Sequence, residues 1–186
     1  AIENRASEAR EDKNKPRQVN WRIYAKRSIL CAGAIERSIA FGNNDRPGIM
    51  LASAVRSYAN RFAVATGDKV SVYTNNDDGW NTARDLVLKN IRVVAVIDSR
   101  SIKPVLRVPG AEIFMGTNVV DTKGRKALKS IKLSNGKSID TDCLAVSGGW
   151  NPNLHLTCHH RGIPKWNEEI ASFIPDESNP PGMSVA

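Results

Sequence analysis

Two polar clusters near the middle of the chain hold residue types that could do chemistry: Thr74-Asn75-Asn76-Asp77-Asp78-Gly79, and Asp98 followed by Ser99 and Arg100. A polar turn running straight into a helix offers bare N–H groups and the positive end of the helix dipole, and so attracts a phosphate. A carboxylate about twenty residues beyond such a turn accepts hydrogen bonds from ribose hydroxyls and repels an added 2′-phosphate. A third segment, Ser147-Gly148-Gly149, ends an apolar run in small residues of the kind that let a backbone approach a ligand closely. Together these types suit nucleotide binding. No Ser-His-Asp or Cys-His set can be placed, and no catalytic residue is assigned.

For these residues to meet, the elements around them must bring them together. Lys69-Val70-Ser71-Val72-Tyr73 is rich in strand formers and reads as a short buried strand. After the turn, Trp80 to Asn90 places Ala83, Leu86 and Val87 at spacings of three and four, the period of a helix with one apolar face. Arg92 to Ile97 is a second apolar strand, ending on Asp98. Strand, turn, helix and strand ending in an acid have the form of a mononucleotide-binding βαβ unit, and Asp98 would select NAD over NADP. In the fingerprint G-x-G-x-x-G the chain has Thr74-x-Asn76-x-x-Gly79, so only the third glycine is present. Dinucleotide binding and a plain βαβ unit both remain open on spacing alone. Asp77 and Asp78 are expected to cap the helix, where they would also oppose a bound pyrophosphate.

The 186 residues suit one domain with a real core, and a formal charge of +8 asks whether nucleic acid is a partner. Lysines and arginines are scattered singly among acids, and the aromatics do not interleave with them, which argues against nucleic acid. Cys31, Cys143 and Cys158 form no C-x-x-C pair, and neither a membrane-length apolar run nor a signal-peptide pattern is present, so a reducing, cytoplasmic location is expected. His155, Cys158, His159 and His160 fit no structural zinc spacing, and no metal is expected; a polar loop or helix start after Pro152 is. Trp150 and Trp166 are read as packing residues.

Along the chain, residues 1–20 are crowded with charge and are expected to be exposed and fraying. Trp21 to Tyr24 reads as a half-exposed strand and Ser28 to Gly33 as a buried one. Ile49 to Val64 reads as an amphipathic helix that Gly67 terminates. Strands are expected over Glu112–Val120, Ala127–Leu133 and Lys137–Val146, with Asn135-Gly136 as a type I′ hairpin turn, giving a β-meander inserted before the final buried strand Cys143–Val146. Ligands of open α/β sheets sit at the carboxyl ends of the strands, so Ser147-Gly148-Gly149 should share an edge with Thr74–Gly79 and Asp98. The expected fold class is α/β, a Rossmann-like parallel sheet carrying the meander.

The strand end Cys31-Ala32-Gly33, the βαβ turn and Gly148-Gly149-x-Asn151-Pro152-Asn153 resemble the pyridine-nucleotide domain of two-dinucleotide-binding flavoproteins such as thioredoxin reductase. Ala34 to Ile39, Gly42 to Met50, Tyr73 to Asp77 and Val146 to Asn153 further resemble the α subunit of heterotetrameric sarcosine oxidases, over nearly the whole chain from Trp21. The flavoprotein subunits of hydrogen cyanide synthase and of opine oxidases stand as close alternatives. The resemblance implies a central NAD-binding part of a longer subunit, residues 21–175, with 176–186 leading into a further FAD-type segment. It implies FAD or FMN in the parent complex outside this chain, and β, γ and δ subunits as partners besides the remaining α segments. By position, Thr74–Gly79 would face the pyrophosphate, Asp98 with Ser99 and Arg100 the adenine-side ribose, and Ser147–Gly149 the nicotinamide half. A structural module with a degenerate site that scaffolds subunit assembly is the alternative.

Overall fold

A computed structural model describes residues 1–101, 107–159, 161–176 and 183–185. Pro104, His160 and most of the expected 176–186 tail lie outside the described residues. The chain divides into two compact units. One comprises Ala1–Ala32, Leu154–Lys165 and Pro175–Ala186; the other comprises Gly33–Asn153 and Trp166–Ile174.

In chain order, β1 (Ile2–Asn4), α1 (Glu8–Glu11), β2 (Gln18–Asn20) and β3 (Ser28–Leu30) belong to the first unit. The second begins with β4 (Ala34–Glu36), β5 (Ile49–Leu51), α2 (Ala52–Phe62), β6 (Val70–Thr74), α3 (Asp77–Leu88) and β7 (Val93–Asp98). It continues through β8 (Glu112–Met115), β9 (Val119–Lys123), β10 (Ser130–Leu133), β11 (Ser138–Asp140), β12 (Cys143–Ser147) and β13 (Trp150–Pro152). Next come α4 (His155–His159) of the first unit and, in the second apart from Lys165, β14 (Lys165–Asn167), which pairs with β15 (Ser172–Ile174). Last is β16 (Met183–Val185), parallel to β3.

Five strands make the main sheet, in the order β5-β12-β6-β7-β8, and every pairing is parallel. A parallel sheet is stable when both faces are covered, and alternation along the strands sends successive side chains to opposite faces. Val70, Val72, Cys143 and Ala145 pack with Val55 and Ala59 of α2 and with Trp80, Ala83 and Leu86 of α3. Tyr73, Leu144, Val146, Ala95 and Ile97 face Leu128, Ile131, Leu133 and Ile139 of the meander β9-β10-β11. The two central strands β6 and β12 are therefore buried at every position, which is why both read as short continuous strands.

Several expected boundaries move, each for a local reason. Ile49–Leu51 is a strand because it completes the sheet edge against Leu144–Val146, so the helix starts only at Ala52. That helix ends on Ala63 in the left-handed region at φ 53°, well before Gly67. Gly67 instead makes room for Asp142, whose carboxylate accepts from the N–H groups of Asp68 and Lys69. The expected strand Glu112–Val120 breaks at Gly116 (φ 58°), with β8 joining the parallel sheet and β9 the meander. The hairpin at Asn135-Gly136 forms, but only Gly136 has positive φ, and Leu133 N donates to Lys137 O across a three-residue loop in place of a type I′ turn.

In the first unit, residues 1–20 form an antiparallel pair of β1 with β2, mostly exposed. Trp21 to Tyr24 has no regular structure, and Ile29 in β3 is 73% exposed where burial was expected. The helix expected after Pro152 is α4.

Candidate functional site

The carboxyl ends of β6, β7 and β12 are tied together by the turn residues. Asn75 N donates to Ser147 O at 3.3 Å, and Ser99 N donates to Thr74 O at 3.0 Å. Asn76 does more than occupy a glycine position. Its Oδ1 accepts from Asp78 N at 2.9 Å, making it the N-cap of α3, while its Nδ2 donates to Ser147 O at 3.1 Å and lies 3.2 Å from Ser147 Oγ. Capping by Asn satisfies a helix-end donor that would otherwise need water or a ligand. The expected capping role thus falls to Asn76, and the helix begins at Asp77, ahead of Trp80.

Thr74, at the first glycine position, turns its hydroxyl onto the same turn: Oγ1 accepts from Asn76 N at 3.1 Å and donates to Asn76 O at 2.9 Å. A Cβ on Gly79 would lie 2.3 Å from that oxygen, so the surviving glycine is required by contact with Thr74. The two acids in the first turn of α3 are each paired. Asp78 meets Arg56 of α2 at 2.9 Å, and Arg56 also meets Asp85 at 2.9 Å; Asp77 meets Arg100 at 2.8 Å.

Asp98 is fully buried at the end of β7. Its carboxylate accepts from Trp80 Nε1 at 2.8 Å, from Arg100 N at 2.9 Å, and from the Arg100 guanidinium at 2.8 to 3.2 Å. The two carboxylates, Asp98 foremost, raise the pKa of Arg100 above its usual value. The desolvation cost of such a buried pair can offset its attraction, but breaking it is costly because it would leave an uncompensated buried carboxylate. Trp80 was not singled out in the sequence as a partner of Asp98, although its position one turn before Ala83 already placed it on the apolar face of α3.

Beyond β12, Gly148 and Gly149 border a segment of the chain itself. Gly148 N donates to Arg37 O and Arg37 N donates to Gly149 O, both at 2.8 Å. A Cβ on Gly149, where φ is 100°, would lie 2.8 Å from a terminal nitrogen of the Arg37 guanidinium, and one on Gly148 would lie 2.8 Å from Ser38 O. Arg37 follows β4, which pairs antiparallel with β13; it lies inside the Ala34 to Ile39 motif that carries the resemblance, but nothing in the sequence singles it out as a site residue.

A cavity of about 520 Å3 opens at this edge, lined by Arg37, Asn75, Asn76, Gly148, Gly149 and Trp150 among others. Its size lies within the roughly 300–1,000 Å3 usual for small-molecule and cofactor sites. Thr74–Gly79 and Ser147–Gly149 are thus brought to one edge, with Asn75, Asn76, Gly148 and Gly149 on the cavity wall; Asp98, Ser99 and Arg100 sit at the adjoining strand end and do not line it. Among the described residues no group of three or more His, Cys, Asp or Glu side chains could hold a metal ion. Trp166 stacks edge-on against Phe173, with ring centroids 5.1 Å apart.

This architecture, a parallel sheet with two helices on one face and an antiparallel meander on the other, is the Rossmann-like pyridine-nucleotide fold of FAD- and NAD-linked oxidoreductases. L-proline dehydrogenase from P. horikoshii superposes with a TM-score of 0.68 at 24% identity, covering 87% of this chain and 29% of that one. An FAD-dependent pyridine nucleotide-disulphide oxidoreductase from Desulfovibrio vulgaris gives 0.62 at 13% identity, covering 94% and 47%. No protein-family model matches the chain. In sequence it belongs with the alpha subunits of sarcosine oxidase. It is 41% identical over 157 residues to that of Rhizobium meliloti (strain 1021), covering 83% of this chain and 16% of the relative. It is 38% identical over 171 residues to that of Corynebacterium sp. (strain P-1), covering 84% and 18%. The chain thus spans less than a fifth of the length of these curated relatives.

Proposed function

We propose that this chain is the NAD-binding segment of a sarcosine-oxidase-like alpha subunit, with the binding function in residues 21–175. The parent would be a cytoplasmic flavoprotein complex that oxidises a secondary amine, with FAD or FMN held outside this chain. Its partners would be the remaining alpha-subunit segments and the β, γ and δ subunits. None of the described helices is long and apolar enough to cross a membrane.

The cavity at the joined ends of β6 and β12 carries this reading, because it lies where open α/β sheets bind nucleotides. Arg37 lines it and forms no ion pair among the described residues, which suits an anionic ligand. The dinucleotide would lie along Asn75, Asn76, Gly148 and Gly149, its pyridine half toward Ser147–Gly149. Asp98 reaches a ribose hydroxyl only if Arg100 swings off it, so the group presented first is Arg100. Asp77, Asp98 and Arg100 together still carry net negative charge, which disfavours the 2′-phosphate of NADP.

Titration calorimetry of the chain with NAD and with NADP tests the reading. NAD should bind and NADP should bind more weakly; no heat with either at millimolar concentration would overturn it. A second reading then takes its place, a structural module that scaffolds subunit assembly. The observation favouring it is that the turn is already satisfied internally, with Asn76 capping α3 and Asp98 consumed by Trp80 and Arg100.

A further inference from the structure

The phosphate turn and the cavity beside it carry opposite electrostatic characters. Two carboxylates, Asp77 and Asp78, occupy the first turn of α3, and the Asp78 N–H is already taken by Asn76. A diphosphate placed there meets like charge and one donor fewer. Across the cavity stands Arg37, a half-buried guanidinium whose hydrogen bonds go only to backbone carbonyls: one terminal nitrogen to Ala171 O at 2.7 Å, the other to Ile170 O at 3.2 Å. Its Nε is buried without a hydrogen-bond partner. Among the described residues no carboxylate lies within ion-pair distance of it, Glu169 on the same cavity wall included.

The two arginines ion-paired to the first turn of α3 are each matched twice: Arg56 by Asp78 and Asp85, Arg100 by Asp77 and Asp98. Arg37 alone brings an unmatched positive charge to the cavity edge. It is also held in place, by the two carbonyls and by Gly149, whose missing side chain leaves room for the guanidinium. A fixed planar cation with a donor to spare is suited to phosphate recognition.

We propose that Arg37 is the anion-recognising residue of this cavity, donating to a phosphate oxygen of a diphosphate-bearing ligand and supplying the positive charge that the α3 turn lacks. The assignment rests on reading the cavity as a nucleotide cleft, and the experiment separates the two.

The intact chain and its Arg37→Gln and Arg37→Lys variants are titrated with NAD and with inorganic pyrophosphate at low and high salt, with melting curves as a folding control. Arg37→Gln, which keeps a donor for a carbonyl, should weaken NAD by roughly 10- to 100-fold, the worth of a charge-assisted hydrogen bond. It should also flatten the salt dependence, and pyrophosphate should displace NAD from the wild type and not from the variant. Arg37→Lys should fall between the two, and it carries the test if the glutamine variant does not fold. Equal NAD affinity in wild type and folded variants overturns the role of Arg37 and leaves the nucleotide cleft standing. Pyrophosphate binding that depends on Arg37, without NAD binding, sustains the anion site and overturns the cleft. Binding of neither ligand to the wild type overturns both.

Discussion

Replacing Asp98 by alanine should destabilise the second compact unit far more than an exposed strand-end acid would. The carboxylate is fully buried, and its removal strands the equally buried indole N–H of Trp80. A buried donor left without a partner costs about 1–3 kcal/mol. Arg100 keeps Asp77, and its side chain is 36% exposed, so water takes up part of its loss and it adds about 1 kcal/mol. With the cavity left by the missing carboxylate, the total comes to about 3–5 kcal/mol, in line with breaking a buried ion pair. At a urea slope of about 2 kcal/mol/M, the unfolding midpoint should fall by about 2 M, and the melting temperature by roughly 10 °C. Trp80→Phe alone should cost about 2 kcal/mol, and combined with Asp98→Ala the two losses should fail to add by about 1–2 kcal/mol, because both remove one hydrogen bond. A loss under about 1 kcal/mol for Asp98→Ala, or strict additivity with Trp80→Phe, would refute the buried Trp80–Asp98–Arg100 arrangement. The same measurement guards the ligand experiments, since a nucleotide titration of Asp98→Ala would otherwise read unfolding as lost affinity.

Two glycines should respond to alanine for different reasons. Gly79→Ala drives a Cβ to 2.3 Å from Thr74 Oγ1 and should cost about 1–3 kcal/mol, largely recovered by adding Thr74→Gly; urea melts of the single and double variants decide this. Gly136→Ala meets no atom within 4 Å and should lose only about 1 kcal/mol, the backbone cost of φ 86°. Thiol labelling at neutral pH should modify Cys31 and Cys158 at once and Cys143 only after denaturation, because burial both shields the Cys143 thiol and raises its pKa, so less thiolate is present below it. Three fast-reacting thiols would contradict the burial of β12, and only one would contradict the exposure of Cys31 or Cys158.

The βαβ unit was legible because its signals are local. Val70–Thr74 is rich in β-branched and aromatic residues and Val93–Ile97 is an unbroken apolar run ending on Asp98; Trp80, Ala83 and Leu86 repeat at helical spacing, and Asn76 and Gly79 punctuate the turn. The resemblance carried by Val146 to Asn153 likewise led to the right relatives. What stayed hidden depends on partners distant in sequence. Ile49–Leu51 looks like a helix start until Leu144–Val146 is seen beside it, and Trp21 to Tyr24 alternates well, yet only Trp21 finds a backbone partner, Ala1, and no ladder among the described residues takes up Arg22 to Tyr24. At the site, the sequence places Asp98 at the strand end but does not show that Trp80 and Arg100 have already claimed its oxygens. Nor does Gly148-Gly149 reveal that the space it leaves is taken up by the segment from Arg37 to Ile39.

The position of β12 between β5 and β6 has a consequence for how the molecule is made. During synthesis Ile49–Leu51 and Val70–Thr74 leave the ribosome long before Cys143–Ser147, the strand that must slot between them. Until that strand emerges, Ile49–Leu51 has no sheet neighbour and Val70–Thr74, though it can pair with Val93–Asp98, keeps one open hydrogen-bonding edge, a state open to wrong partners. The meander links β8 to this late strand, so β6, β7 and β8 can pair as they emerge while β5 joins the sheet only once Cys143–Ser147 has been made.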